Sequence, residues 1–185
     1  MTTSLPKTEA ETDGFYDRRG WTTDKKIRTI LRPFLTESVY PWLADQSSDP
    51  HVLADYEPFH GLTATAAKQL LDVLPLRNLA ERQNFAPTCE TLLRAAIDNP
   101  ETVELVGYAI GPNRRDERVS IEGLIYYADR VGQETNPTTA TQRTRLWNTI
   151  RRELELETAR LEPDELHRFR PAWNPKREGW WVWWD

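Results

Sequence analysis

Residues 103 to 127 read VELVGYAIGPNRRDERVSIEGLIYY, and the fold turns on how this stretch is paired. Val103, Leu105 and Ala109 alternate with Glu104, Val106 and Tyr108. After an eight-residue tip, Val119, Ile121 and Ile125 alternate with Ser120, Glu122 and Leu124. A period of two places successive side chains on opposite faces, so the stretch predicts a β-hairpin. Its tip, GPNRRDER, carries Arg114, Arg115 and Arg118 in a chain of formal net charge −5. Basic side chains on such a tip suit contact with nucleic acid. Asp116 and Glu117 beside them suit a turn that neutralises itself.

Helical signals flank the hairpin. TATAAKQLLDVL (63–74) sets Ala66, Ala67, Leu70, Leu71 and Leu74 on one side and is ended by Pro75. A short piece, LRNLAERQN (76–84), follows, then a corner at Phe85–Pro87. Thr88 is placed to cap CETLLRAAIDN, whose apolar face is Leu92, Leu93, Ala96 and Ile97. Upstream, Ile27, Ile30, Leu31, Phe34 and Leu35 recur at helical spacing, with Pro33 interrupting them. A second helical piece is expected from Thr36 toward Leu43, and residues 45–61 read as a loop or extended arm. Downstream, a polar linker (132–142) precedes an amphipathic helix over 143–161. Pro163 then sits where a helix through DELHRF would begin. The chain closes on GWWVWWD, with Trp180, Val182 and Trp184 on one strand face and Trp181 and Trp183 on the other.

These elements predict an α+β protein that is mainly helical, with a small antiparallel sheet. Four parts are expected: a flexible leader (1–14), an N-terminal helical arm (15–61), a core (62–131), and a C-terminal helix with a Trp-rich strand (143–185) packed on it. The order helix, short helix, corner, helix, strand, long tip, strand over 63–127 resembles a winged helix-turn-helix. The resemblance implies that the third helix presents Thr88, Glu90, Thr91, Arg94 and Asp98 to DNA bases, with the hairpin as the wing. DNA-binding residues would then be Arg94, Arg114, Arg115 and Arg118. Only Arg94 is basic on that helix, and Glu90 and Asp98 would repel phosphates.

Composition narrows the classes. Nineteen aromatic residues, eight of them Trp, supply large buried areas for a 185-residue chain. A single cysteine, Cys89, excludes an internal disulfide framework and suits a reducing cytoplasm. No apolar run approaches the roughly 20 residues of a membrane span, so no membrane partner is expected. Residues 143–177 hold nine basic and six acidic side chains, too small an excess for broad capture of nucleic acid.

His51, Asp55, Glu57 and His60 offer metal-ligand chemistry at a spacing that matches no known motif, so solvated loop residues explain them more simply. Neither a metal nor another cofactor is expected, and no catalytic residue is assigned. Phosphate-loop, dinucleotide and nucleophile-elbow motifs are absent. The tryptophans Trp173, Trp180, Trp181, Trp183 and Trp184 are the candidates for an interface or a ligand pocket. Three functions follow as expectations. The first is a non-enzymatic regulatory protein that binds a protein partner or itself. The second is a winged-helix DNA-binding regulator, and the third is a small-molecule-binding protein or enzyme with an aromatic pocket.

Overall fold

The computed structural model describes residues 13–36, 49, 51–128 and 136–185. Nearly all of the expected leader, the helical piece beyond Thr36 and the first part of the 132–142 linker (132–135) lie outside them. In chain order the elements are α1 (Trp21–Asp24), α2 (Ile27–Leu31), β1 (Glu57–Leu62), α3 (Ala64–Val73), α4 (Leu76–Leu79) and α5 (Cys89–Asp98). There follow β2 (Val103–Ile110), β3 (Arg118–Tyr126), α6 (Ala140–Glu153), β4 (Glu165–Phe169) and β5 (Gly179–Trp183).

The strands make one antiparallel sheet in the order β1-β2-β3-β5-β4. The expected hairpin is present, but it forms the centre of the sheet. This overturns the mainly helical, winged-helix-like reading. Among the described residues 31 % are helical and 24 % are strand. A wing projects from a mainly helical core, whereas here the hairpin is the centre of a five-stranded sheet, with β1 paired to β2 and β5 to β3. Two strands escaped the sequence reading. β1 lies in the segment expected as loop or extended arm, and its Pro58 is tolerated because β1 is an edge strand. Its outer rim is partly covered, since Thr36 N–H donates to Pro58 O and His60 N–H to Phe34 O. The other strand, β4, occupies DELHRF, where a helix was expected. Its partner decides the matter, because Leu166 and His167 lie opposite Val182 and Trp181 of a strand that cannot be left unpaired.

One sheet face is covered by the long helices. Val103, Leu105, Ala109, Val119, Ile121, Leu124, Trp180, Val182 and Trp184 meet the apolar faces of α3, α5 and α6 in one cluster. Thr88 accepts from Thr91 N–H at 3.3 Å to cap α5, and Thr139 and Gln142 form a reciprocal capping box on α6. That helix stops at Glu153, short of the expected 161. Glu155 adopts a left-handed φ of 53°, and the chain turns to bury Leu156. Trp147 of α6 meets Trp184 edge-on at 5.6 Å between ring centres.

Where β3 has no strand beyond it, Asn78 takes the place of one. Its amide donates to Val119 O at 2.7 Å and accepts from Val119 N–H at 2.9 Å. Both backbone groups of an otherwise bare, buried edge are satisfied by one side chain.

The arginine tip is docked rather than free. Glu117, 1 % exposed, accepts from Gly20 N–H (2.7 Å), Thr22 N–H (2.8 Å) and Thr22 hydroxyl (2.5 Å). These are the unpartnered donors at the start of α1. Arg19 donates to Pro112 O and Asn113 O, and Phe15 N–H donates to Arg115 O. The tip therefore anchors the 13–24 segment.

Candidate functional site

The second sheet face carries the irregularities that make a site. Opposite Val106, β1 presents two residues, His60 and Gly61, where one would pair; the register is Phe59 to Gly107 and Leu62 to Leu105. On the other side of β2, Glu122 is an extra residue in β3, between the pairs Val106–Gly123 and Gly107–Ile121. Two β-bulges thus flank one residue. Bulges re-aim side chains, and they are over-represented beside binding sites. Here they turn His60 and Glu122 into the same pocket. The β3 bulge also explains why Leu124, and not the expected Ile125, joins Ile121 on the helical side.

Each bulge pairs a titratable residue with a glycine, and an indole lies on each glycine. A Cβ on Gly61, whose φ is +71°, would come within 2.5 Å of Trp173 Cδ1. A Cβ on Gly123 would meet Trp183 Cδ1 at 3.2 Å and Val182 O at 2.3 Å. Trp173 stacks on His60 with ring centres 4.9 Å apart, and its N–H donates to Glu104 Oε2 at 2.8 Å. Asn174 and Tyr127 also donate to Glu104. The loop after β4 is thereby fastened over one end of this face. Phe169 continues the aromatic surface, 5.3 Å from Trp181 and 6.4 Å from Trp173.

Between these features lies a pocket of about 240 Å³ lined by His60, Val106, Glu122, Glu165, Trp181 and Trp183. Trp181 N–H donates to Glu165 Oε2 at 2.7 Å, and Trp183 N–H donates to Glu122. Burial pushes the Glu122 carboxyl up to about 7; the Trp183 N–H opposes that rise and Asp185 adds to it. Burial also holds His60 below its ordinary value, so the ring is neutral at pH 7. A carboxyl that titrates near neutrality beside a second carboxylate has the pattern used in acid–base chemistry.

Glu122 makes stability depend on pH with a definite sign. The unfolded carboxyl titrates near about 4.3, and the folded one near about 7. Within that window the folded chain holds a proton that the unfolded chain has lost, so stability falls as pH rises. Glu122→Gln should therefore raise the Tm at about pH 8 and leave it nearly unchanged at about pH 4.5. Circular dichroism melts check this, and an equal shift at both pH values would acquit Glu122.

The residues named from the sequence divide sharply. His60, Trp181 and Trp183 come together in the pocket, and Trp173 closes one side. Trp180 and Trp184 point to the helical side and are fully buried, so they offer no surface. Glu57 is taken by Arg28 at 2.9 Å, His51 is exposed on a turn, and no group of metal-binding side chains occurs among the described residues. His51, Asp55, Glu57 and His60 therefore make no common site. Arg94 pairs with Glu90 on the outer face of α5. Arg114 pairs with Asp116 at 2.7 Å, and Arg115 lies 5.7 Å over Phe15. Arg118, half-buried, donates to Tyr108 hydroxyl and Asp116 and stands 4.0 Å from Glu81. Arg114 and Arg118 are thus held by hydrogen bonds and ion pairs, while Arg115 is exposed beside Phe15. Cys89 is 1 % exposed, and burial pushes its thiol upward, away from the reactive thiolate.

Glu122, Glu165 and Val106 were not anticipated. A readable signal did exist: His60-Gly61 and Glu122-Gly123 each put a glycine inside a strand, which marks a bulge or a close approach. A larger hollow of about 670 Å³ runs along the polar side of α6, past Thr141, Arg145, Asn148 and Arg152, but a single helix supplies its lining. Among the described residues no helix is long and apolar enough to cross a membrane. No protein-family model matches the chain, and neither the curated proteins nor the solved structures include a significant match.

Proposed function

We propose that the chain is a small-molecule-binding protein whose site is the pocket between the two bulges. The observation that carries this reading is the convergence of both bulges on Val106. Such bulges interrupt the hydrogen-bonded ladder and place a histidine and a carboxyl, both of them partly desolvated, beside two indoles. An apolar floor with a few converging polar groups of shifted pKa is the general form of a ligand site. Acid–base chemistry is available there at Glu122.

Neither of the other expected functions gains comparable support. Self-association would have to use Trp173, Trp181 and Trp183, since Trp180 and Trp184 are core; those three are the residues that border the pocket. For DNA contact the tip offers little free charge: Arg114 and Arg118 share Asp116, which leaves Arg115 as the tip arginine without an ion pair among the described residues. A cytoplasmic location, suggested by the single cysteine, is part of the same proposal.

Titration of intrinsic tryptophan fluorescence with a panel of small amines, sugars and nucleosides tests the reading. One class should quench or shift the emission, and a Trp181→Ala/Trp183→Ala variant should keep its fold and lose the response. A response that persists undiminished in that variant would place the ligand elsewhere.

A further inference from the structure

The charge of the pocket is uncompensated. Glu122 and Glu165 both line it, and the partners they show are indole N–H groups, which orient a carboxylate without neutralising it. Among the described residues neither takes part in an ion pair with arginine or lysine. Across β5, Arg168 and Arg170 are held by Glu178, and Arg168 lies over the opposite-face ring of Trp180. His60 is the other titratable side chain in the lining, and it stays neutral at pH 7. What remains is indole surface from Trp181 and Trp183.

Two carboxylates beside indole rings form a receptor for positive charge. The ring quadrupole attracts a cation held near its face, and ammonium groups are recognised this way. An anion would meet two like charges. A neutral sugar would leave the Glu165 carboxylate, and Glu122 once it has lost its proton, without a counter-charge. The volume of about 240 Å³ is below the roughly 300–1,000 Å³ of sites for drug-sized ligands, so the occupant is compact.

Resting on the small-molecule reading above, we propose that this pocket binds a compact organic cation, an alkylammonium or quaternary ammonium group, through the indoles of Trp181 and Trp183 and the carboxylates of Glu122 and Glu165. A bound cation competes with the proton on Glu122, so binding strengthens as pH rises through neutrality. The groups facing Glu122 are His60 from β1, Glu165 from β4, Trp183 from β5 and Asp185 after it. Glu104 on β2 is tied to Trp173, Asn174 and Tyr127.

The test compares choline with its neutral carbon isostere, 3,3-dimethylbutan-1-ol, on the full chain at low ionic strength. Tryptophan fluorescence and calorimetry supply the readouts. Choline should bind several-fold more tightly than the isostere, roughly threefold or more, as cation–π attraction at a half-buried site allows. Its affinity should rise roughly tenfold from about pH 6 to about pH 8. Trp183→Ala should abolish binding. Glu165→Gln, at an exposed position that leaves folding undisturbed, should weaken it by roughly tenfold. Equal affinity for choline and the isostere overturns the proposal. Binding of glucose without choline also overturns it, while leaving a small-molecule site in place. No response to choline, isostere or glucose in a folded protein overturns both this inference and the reading it rests on.

Discussion

A chain ending at Gly179 should fail to fold. Trp180, Val182 and Trp184 are each 0 % exposed on the helical side of β5. Removing a buried Trp side chain costs about 3–5 kcal/mol, and burying a Val is worth about 1.5–3 kcal/mol. The three together amount to roughly 8 kcal/mol or more, set against a typical domain stability of about 5–15 kcal/mol. The truncation also strips β4 of its sheet neighbour and uncovers the edge of β3. Far-ultraviolet circular dichroism and sedimentation should show an unfolded or aggregated product. A folded monomer obtained from a self-associating parent would instead assign the strand to an interface. The milder variant Trp180→Ala should lose about 3–5 kcal/mol and lower the Tm by roughly 10 °C for a chain of this size.

The second large effect belongs to Glu117. Its carboxylate accepts three hydrogen bonds from Gly20 and Thr22, the two from Thr22 buried and the one from Gly20 partly so. Hydrogen bonds to a charged group are worth about 1.5–3 kcal/mol each where the partner is left unsatisfied. Those of Glu117→Ala overlap, because water reaches the loosened segment once it lifts. A loss of about 3 kcal/mol is expected, with a Tm lower by roughly 9 °C. The change should be local before it is global. Limited proteolysis should cut the 13–24 segment while the sheet persists, since that segment is held mainly through the tip. Glu117→Gln keeps one acceptor oxygen and should recover part of the loss. Equal protease resistance in Glu117→Ala and the parent would show that the tip does not anchor the segment.

The arginines of GPNRRDER gain a different meaning from this contact. Arg114 and Arg118 are bound to Asp116 and Arg115 lies over Phe15, so part of the tip's charge is used by its own neighbours. The glutamate beside them, not a basic residue, makes the tip important to the fold.

Sequence alone determined the elements that rest on local physics. Alternation and length yield the 103–127 hairpin, and Pro75 and Thr88 bound two helices at their observed ends. The two faces of the Trp-rich strand follow from a period of two. These signals are contained within about ten residues, and a local pattern suffices to read them. What tertiary structure decided is everything that depends on a distant partner. β1 and β4 are strands because β2 and β5 offer them ladders, although 45–61 reads as a loop or extended arm and Pro163 as a helix start. Ile125 and Leu124 exchange faces because Glu122 inserts one residue into β3 opposite Val106. The pocket has the same origin: His60, Glu122, Glu165, Trp181 and Trp183 lie on four strands spread over 124 residues of sequence. No spacing motif can encode such a site, because hydrogen-bonded neighbours in a sheet are set by register and not by separation along the chain.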